Sequence, residues 1–181
     1  MKNLIVLIYL FVIFPVHISS YKYAENNIIK QEKTAWCWVA VSSATIDYKT
    51  GYRFSQCSIA NTRFKNEKLN CCEKNNKVCN QPITLIELKI MLINDFGLNA
   101  YLYKDNRNTR HIVHLISTGS VIIVGIQKQT CSSVICKTYN HIVMIIGYND
   151  TQLIVYDPEE TIYNFVNYTW LTNSSFILVV N

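Results

Sequence analysis

The sequence predicts an α+β domain, in which a helical first half packs against a mostly antiparallel sheet. Apolar residues recur at helical spacing before residue 97, whereas short runs rich in β-branched residues prevail after residue 120. Helices and strands segregated along a chain are typical of α+β domains, because strict alternation builds a parallel sheet instead. Half of the residues are hydrophobic, which provides for a core and excludes a disordered chain.

Residues 1–20 have the pattern of a secretory signal peptide. Lys2 precedes the apolar run LIVLIYLFVIF, and small residues end the segment at Ser19 and Ser20. The run is too short to span a bilayer comfortably, so an uncleaved membrane anchor is the alternative that we favour less. We therefore expect a signal peptide at 1–20, a secreted domain at 21–181 and no membrane contact after cleavage.

Two helices are predicted at the start of the mature domain. Residues 35–49 carry apolar side chains at helical spacing, with Cys37 in the first turn. Gly51 follows the last periodic residue, as a glycine at a helix C-terminus should. A shorter helix is predicted over 55–64, with Ser55 as its N-cap.

Two further helices are marked by their ends. Thr84 and Glu87 form a capping-box pattern, in which each side chain can bind the backbone of the other. The helix that they begin runs to Phe96 and is ended by Gly97. A short fourth helix is predicted over 109–117.

Five short runs in the rest of the chain are predicted to be strands, because β-branched and aromatic residues dominate them. In chain order they are 99–103, 121–126, 141–148, 152–158 and 175–180. The pair Asn149-Asp150 marks a tight turn between the third and fourth runs. These two strands are therefore expected to pair as a hairpin, and a cleft between the helical half and the sheet is a natural place for a site.

The charge pattern gives no sign of nucleic-acid binding. The formal net charge is +5, and it falls to +4 when the signal peptide, whose only charged residue is Lys2, is removed. The lysines are scattered and do not form a basic stripe interleaved with aromatic residues. We see no internal repeat or linker, so the mature chain is expected to be one domain.

Seven cysteines and a secretory address predict disulfide bonds. The cysteines are Cys37, Cys57, Cys71, Cys72, Cys79, Cys131 and Cys136. Cys131 and Cys136 flank a short loop and are expected to pair. Adjacent Cys71 and Cys72 cannot easily bridge each other, so each is expected to pair with another member of the 57–79 cluster, in an order that stays open. A metal site is disfavoured because the chain has no C-x-x-C pair near a histidine. Cys37 is then left over, as a free reactive thiol or an intermolecular bridge.

Cys37 is the candidate nucleophile. Unpaired backbone N–H groups at a helix N-terminus favour a thiolate, and a neighbouring imidazolium favours it further. His141 is the strongest candidate for that histidine. If the 141–148 and 152–158 strands pair, Asp157 falls near His141 and can fix its tautomer. Gln31, six residues before Cys37, can donate to a developing oxyanion beside the Cys37 N–H.

These residues resemble the papain-like cysteine peptidases. The likeness is carried by Gln31, the WCW stretch, NHIVMIIGY with His141 and YDP with Asp157. It is best to the compact bacterial branch, which includes the plant-pathogen avirulence effector peptidase and relatives of the bacteriocin-leader peptidases, and in which the third catalytic residue is commonly Asp. QCSIAN, CC and CNQP also resemble that branch, and the likeness extends over about residues 30–158.

The resemblance implies a papain-like fold and a secreted endopeptidase that acts on proteins or peptides. Cys37 would attack the peptide carbonyl, His141 would transfer the proton, Asp157 would orient His141, and Gln31 would help to bind the oxyanion. No metal or organic cofactor is needed for this chemistry.

Two features depart from the larger plant and lysosomal enzymes. AWCW replaces their C-G-[SA]-C-[WY] signature, and His141 lies only 104 residues after Cys37. Few residues precede Gln31 after signal cleavage, which leaves no room for a long inhibitory pro-segment. An external inhibitor or activator is therefore a further expected partner.

Several readings without catalysis stay open at this point. Cys37 could be a plain buried thiol, His141 a satisfied strand-end histidine, Asp157 a turn former and Gln31 a surface residue. His111 and His114 share a helix face, which is expected to be solvated rather than metal-binding. Three N-glycosylation sequons begin at positions 149, 167 and 173.

The alternatives for function are of two kinds. The same triad could carry out deamidation, transamidation or acyl transfer, because these reactions pass through the same thioester. The second alternative is a secreted module of the same fold that binds peptides or glycans without catalysis.

Trp36 and Trp38 are expected to pack the helix start and wall the cleft.

Overall fold

The computed structural model describes residues 29–73, 76–105, 108–132, 135–174 and 176–181. The predicted signal peptide at 1–20 lies outside the described residues. The helices are α1 (Cys37–Thr50), α2 (Gln56–Arg63), α3 (Leu85–Phe96) and α4 (Thr109–Ser117), with short 3₁₀ turns at Lys65–Glu67 and Tyr168–Asn173. Within the described part of the chain, no helix has the length and apolar character needed to cross a membrane.

One antiparallel sheet accounts for the described strands. They are β1 (Ala100–Tyr103), β2 (Val121–Cys131), β3 (Cys136–Tyr148), β4 (Gln152–Asp157), β5 (Ile162–Asn167) and β6 (Ile177–Val180). The spatial order is β1-β6-β2-β3-β4-β5, and all five neighbouring pairs run antiparallel. The predicted α+β class, with a helical half on an antiparallel sheet, is confirmed.

The helix ends follow their local sequence signals. The Ser55 hydroxyl accepts from the Ser58 N–H at the start of α2. Thr84 and Glu87 form both bonds of the capping box at the start of α3. Gly51 and Gly97 follow α1 and α3 in the left-handed conformation, with φ of 74° and 66°, which glycine adopts without steric cost. These four predictions are confirmed.

Helix α1 is the centre of the core and joins the two halves. Ten of its fourteen residues are buried, including Trp38 and the aliphatic residues that follow it. The helix packs on β3 and against α2 and α3. On the sheet side, Thr45 of α1 lies against Met144 of β3 in the interior. A helix that is apolar on nearly all sides is expected to be surrounded by protein, and this fixes α1 relative to the sheet.

Two predictions about the strands need correction. His141 does not open a strand, since β3 begins five residues earlier, at Cys136. Strands β2 and β3 continue outward as a polar hairpin as far as the Cys131–Cys136 disulfide, beyond the apolar runs on which the prediction was based. Strand β5 was not predicted, because it is an edge strand whose residues alternate between exposed and half-buried, with Phe165 exposed.

Candidate active site

Cys37 is the first residue of α1 and is buried. The other six cysteines form the pairs Cys57–Cys72, Cys71–Cys79 and Cys131–Cys136, so Cys37 is the free cysteine. The predicted Cys131–Cys136 bond and the predicted free thiol are confirmed. The open order within the 57–79 cluster is thereby settled, with each of the two adjacent cysteines bonded outside the pair.

The start of α1 has no side-chain cap. Trp36 stands at the N-cap position and makes no side-chain capping bond. Helices α2, α3 and α4 are capped by Ser55, Thr84 and Asn108. The first N–H groups of a helix lack intrahelical partners, so the α1 terminus can offer its N–H groups to a ligand. Cys37 lies at this end.

The two tryptophans beside Cys37 are tied to one disulfide-bonded loop. Trp36 Nε1 donates to the carbonyl of Cys79 at 2.8 Å, and Trp38 Nε1 donates to the carbonyl of Gln81 at 2.9 Å. The Ala35 N–H donates to Asn80 Oδ1 at 2.9 Å. We call the described residues of this loop, 71–73 and 76–81, the clamp loop. The loop fixes the position of Cys37 from both sides. Both tryptophans pack the helix start as predicted, but neither lines the cavity beside His141, which corrects the expectation that they wall the cleft.

His141 and Asp157 lie on the two paired strands β3 and β4. His141 Nε2 and Asp157 Oδ1 are 2.7 Å apart, and both side chains are buried. The turn between the strands is closed by the Asn149 N–H, which donates to the Gln152 carbonyl. The expectation that pairing through this turn brings the two side chains together is therefore confirmed.

The imidazole of His141 is shared between Asp157 and Cys37. Burial by itself lowers the pKa of His141, but hydrogen bonds to Asp157 and to Cys37 outweigh it and raise the pKa from 6.5 to about 9. Because Nε2 faces Asp157, Nδ1 is the ring nitrogen left for the Cys37 thiol. The site therefore favours a charged imidazolium next to the sulfur at neutral pH.

The carboxyl group of Asp157 is held in its charged form. Burial opposes the charge, but hydrogen bonds from His141 and Lys128 outweigh this effect and hold the pKa of Asp157 well below its usual range. The Glu159 N–H also donates to Asp157 Oδ1, at 2.9 Å. Asp157 is therefore a carboxylate over the physiological pH range and can stabilise the imidazolium.

Gln31 is fixed beside the end of β4 and before α1. Its main-chain N–H donates to the Pro158 carbonyl at 2.9 Å. Its side-chain amide donates to the carbonyls of Lys33 at 3.2 Å and Thr34 at 2.9 Å. Its Oε1 atom is buried without a hydrogen-bond partner among the described residues. Gln31 thus lies at the junction of the two halves, with both amide hydrogens engaged by the loop that leads into α1.

Next to His141 lies a cavity of about 800 Å³. Its walls come from the start of α3, from strands β2 and β3, and from the segment before β6. The residues that line it are Pro82, Ile83, Thr84, Leu85, Glu87, Gly125, Ile126, Gln127, Asn140, His141, Ile142, Trp170, Ser174 and Phe176. A Cβ at Gly125 would lie 3.4 Å from the Leu85 side chain, so the start of α3 lies against β2 at this wall. The volume is in the range of ligand-binding clefts.

Donor atoms of His141, Asp157 and Glu159 lie within 4.8 Å of one another, a spacing that a metal ion could bridge. The Lys128 ammonium already binds the carboxylates of Asp157 and Glu159, at 2.9 and 3.0 Å. The Lys128 ammonium therefore already supplies the positive charge that a metal ion would bring to this cluster. Lys128 was not predicted to belong to the site, because in the sequence it is one of the scattered lysines.

Comparisons with known proteins identify the family and the fold of the chain. Residues 23–175 match the Peptidase_C39 like family, which is most of the sequence. The chain belongs to the Peptidase_C39 like family. A search of the curated proteins finds no significant match.

Two solved structures have the same fold as this family member. A C39-like peptidase from Bacillus anthracis has a TM-score of 0.59 and 12% sequence identity, covering 90% of this chain and 97% of that chain. The Carica candamarcensis cysteine protease CMS1MS2, in complex with E-64, has a TM-score of 0.56 and 14% identity, covering 93% of this chain and 99% of that chain. The predicted papain-like fold and the resemblance to papain-like cysteine peptidases are confirmed.

Family and fold together support cysteine peptidase activity in general for this C39-like protein. Of the four predicted site residues, the structure joins His141 to Asp157 by a hydrogen bond and places Cys37 near enough to His141 to help raise its pKa. Gln31 lies at the edge of this group, with its amide turned to the neighbouring backbone. The other histidines of the described residues lie on α4, where His114 is exposed and His111 packs against Tyr103 at 4.8 Å between ring centroids.

Proposed function

We propose that this C39-like family member is a secreted cysteine endopeptidase that hydrolyses peptide bonds through a Cys37–His141–Asp157 triad. The observation that carries the proposal is the free, buried thiol of Cys37 beside the buried His141, whose pKa it helps to raise, with His141 itself hydrogen-bonded to the buried carboxylate of Asp157. Three such groups in series match the arrangement of nucleophile, base and orienting residue.

The reaction begins with attack of the Cys37 sulfur on the peptide carbonyl. His141 holds the thiol proton and returns it to the leaving amine, so that a thioester forms. His141 then takes a proton from water, which attacks the thioester and releases the acid. Asp157 keeps Nε2 of His141 engaged, so that Nδ1 faces the sulfur throughout. No metal or organic cofactor enters this sequence of steps.

Oxyanion binding is assigned to the Cys37 N–H and to Gln31. The absence of a side-chain cap on α1 supports the first donor, because an uncapped helix start has N–H groups to offer. Gln31 needs one of its amide hydrogens for this role. The longer of its two bonds, 3.2 Å to the Lys33 carbonyl, is the one that we expect to open when substrate is bound.

Peptide substrates fit the surface beside the triad. The cavity next to His141 is walled in about equal measure by apolar side chains such as Leu85, Ile142 and Trp170 and by polar side chains such as Gln127 and Asn140. Such a cleft suits an uncharged side chain of an extended peptide. An external inhibitor or activator is a further proposed partner, since an active thiol peptidase needs restraint.

Secretion is supported by two independent features. The first is the signal-like pattern of residues 1–20. The second is the presence of three disulfide bonds in one domain, which form and persist in oxidising compartments.

The decisive experiment compares the wild type with Cys37→Ala on a peptide library read by mass spectrometry. We expect new peptide termini with the wild type only, and an unchanged melting temperature for the variant. Mass shifts of side-chain amides without new termini would instead identify deamidation or acyl transfer by the same triad.

A labelling experiment separates these enzymes from a binding module. Iodoacetamide at pH 6, below the range in which an ordinary thiol reacts, is expected to label Cys37. E-64, the compound bound by the Carica relative, provides a second probe. Failure of both reagents on the folded protein would leave a non-catalytic peptide- or glycan-binding module.

A further inference from the structure

The ammonium of Lys128 lies among three carboxylates at the end of β4. Its Nζ atom donates to Asp157 at 2.9 Å, to Glu159 at 3.0 Å and to Glu160 at 2.6 Å. An ammonium has three N–H donors, so these bonds use all of them. The side chain of Lys128 is only 20% exposed, which makes the contacts less screened by water than those of a surface lysine.

The carboxylate of Asp157 is held at both oxygens. Oδ1 accepts from His141 Nε2 at 2.7 Å and from the Glu159 N–H at 2.9 Å. Oδ2 accepts from Lys128. Because a carboxylate bonded at both oxygens cannot turn without breaking a bond, Lys128 limits rotation of the group that faces the imidazole.

The sheet register places Lys128 on the same face as His141. Strands β2 and β3 pair Ile126 with His141 and Lys128 with Tyr139. Alternate residues of a strand project from one face, so these four side chains share the face that carries the site. The Tyr139 hydroxyl donates to Glu159 Oε2 at 2.8 Å and fixes a second carboxylate of the cluster.

We propose that Lys128 is a positioning residue of the active site, which binds the second oxygen of Asp157 and thereby keeps the first oxygen aimed at His141. The inference rests on the proposed function of Cys37 and His141. No hydrogen bond joins Lys128 to Cys37 or to His141 among the described residues. Lys128 therefore acts through Asp157. It also offsets three negative charges that would otherwise repel one another within four residues of chain.

The charge of Lys128 gives the proposal a pH signature. The titratable groups around Asp157 are His141 and Tyr139 from β3, Lys128 from β2, Tyr156 from β4, Glu159 and Glu160 after β4, and Cys37 of α1 through His141. Removing a positive charge raises the pKa of every group that remains, because each then releases its proton into more negative surroundings. Both limbs of a pH–rate profile should therefore move to higher pH.

The test uses Lys128→Met, Lys128→Arg and a matched control, Lys137→Met. Lys137 is exposed on the same hairpin, so the control loses the same formal charge away from the cluster.

The first readout is the rate of Cys37 alkylation by iodoacetamide as a function of pH, which intact mass spectrometry follows. The other six cysteines are in disulfides, so one added group reports on Cys37. A chelator is present, because loss of the ammonium leaves the donor atoms of the cluster open to metal ions.

In Lys128→Met we expect alkylation at pH 6 to slow by roughly tenfold, since one charged hydrogen bond is lost, and the rising limb to move to higher pH. Lys128→Arg keeps the charge and should restore most of the rate. Lys137→Met should follow the wild type. On a cleaved peptide, Lys128→Met should lower kcat and leave KM nearly unchanged, because Lys128 does not line the cavity beside His141.

A Lys128→Met profile that superimposes on the wild type overturns the proposal, even if the melting temperature falls, since Lys128 then serves the fold alone. Should Lys128→Met fail to fold, Glu160→Gln decides the matter. Glu160 is exposed, and its neutralisation leaves the ammonium to the other two carboxylates. The rising limb should then move to lower pH at low ionic strength, and an unmoved limb counts against the proposal.

Alkylation needs no substrate, so the two proposals can fail separately. If the wild type cleaves no peptide while the alkylation profile responds to Lys128 as described, the peptidase proposal fails and the positioning role stands. If the wild type cleaves and Lys128→Met retains both the cleavage and alkylation profiles, the positioning role fails and the peptidase proposal stands.

Discussion

The two sides of the proposed active site are held by different kinds of interaction. On the helical side, Cys37 is fixed by buried indole rings whose N–H groups bind carbonyls of the clamp loop, and the Cys71–Cys79 disulfide closes that loop. On the sheet side, His141 is fixed by charged hydrogen bonds that run through Asp157 to Lys128. The helical side is therefore expected to respond to reductant, and the sheet side to pH and salt.

The division follows from what each reactive group must do. The proposed nucleophile, Cys37, has to stay in place while bonds to it form and break, and neutral, well-packed contacts provide this over a wide pH range. The base has to gain and lose a charge while it is buried. A buried charge is tolerated only when partners of opposite charge and further hydrogen bonds accompany it, and Asp157 with its donors meets that condition.

The largest expected effect is the loss of the base. His141→Ala should lower kcat/KM by roughly 10³-fold or more, as removal of one member of a catalytic unit does. The variant should still fold, because Asp157 keeps its bonds to Lys128 and to the Glu159 N–H. The measurements are peptide cleavage and thermal unfolding.

His111→Ala is the matched control for this variant. His111 is a half-buried histidine on α4 that packs on Tyr103 and lies outside the triad. We expect it to keep wild-type activity. Equal losses in both histidine variants would mean that the activity depends on fold stability and not on the His141 side chain.

The next effect tests the ionic side alone. The pKa of His141 is raised from 6.5 to about 9, so the imidazolium is the major form at pH 7 to 8. Activity should therefore fall as pH rises through about 9. A raised pKa also means that the ion pair contributes stability in full below pH 6.5 and that this contribution is lost between 6.5 and about 9. Urea unfolding at pH 6 and pH 10 measures the loss, which His141→Ala should reduce.

Cys37→Ala sharpens the same measurement. The hydrogen bond and charge of Cys37 are among the causes that raise the pKa of His141, so their removal should lower it. NMR titration of the imidazole in the two proteins gives the direction. An unchanged or higher pKa in Cys37→Ala would mean that the sulfur and the ring are not coupled.

Signals that act over three or four residues predicted their structures well. The capping box at Thr84 and Glu87 and the glycines after α1 and α3 needed no tertiary information. The pairing of His141 with Asp157 was also predictable, because a short turn joins their strands. These predictions depend on local backbone geometry, which neighbouring residues determine.

Lys128 could not be chosen in this way, because its role depends on the register of a long hairpin. The signal was present, since the expected Cys131–Cys136 bond sets that register and places Lys128 opposite Tyr139. The sequence prediction ended β2 at residue 126, so the register of the hairpin did not extend to Lys128. The partners of Gln31 were also beyond reach, because the backbone of residues 33–34 follows no periodic pattern.

The third effect tests the neutral side. Replacement of Cys71 and Cys79 by serine should cost about 2–3 kcal/mol of unfolding free energy, as expected for a loop of this length. Activity should fall as well, because the clamp loop then loses its hold on the tryptophans. The Cys131→Ser/Cys136→Ser protein is the control, since its bond closes a hairpin tip and should cost stability with little loss of activity. Equal activity losses in the two proteins would remove the distinction between the two disulfides.

The smallest effect concerns a single hydrogen bond. Trp38→Phe keeps an aromatic ring but removes the Nε1 donor to the Gln81 carbonyl, which should cost about 1–3 kcal/mol because a part-buried acceptor is left without its partner. The pH profile should keep its shape, since no charged group is touched. The value of kcat should fall severalfold, because the Cys37 side chain is then held less firmly in place. Combining Trp38→Phe with loss of the Cys71–Cys79 bond should cost less than the sum of the two, because both changes loosen the clamp loop. If the two losses of unfolding free energy add strictly in urea unfolding, the disulfide and the indole stabilise the helical side independently of each other.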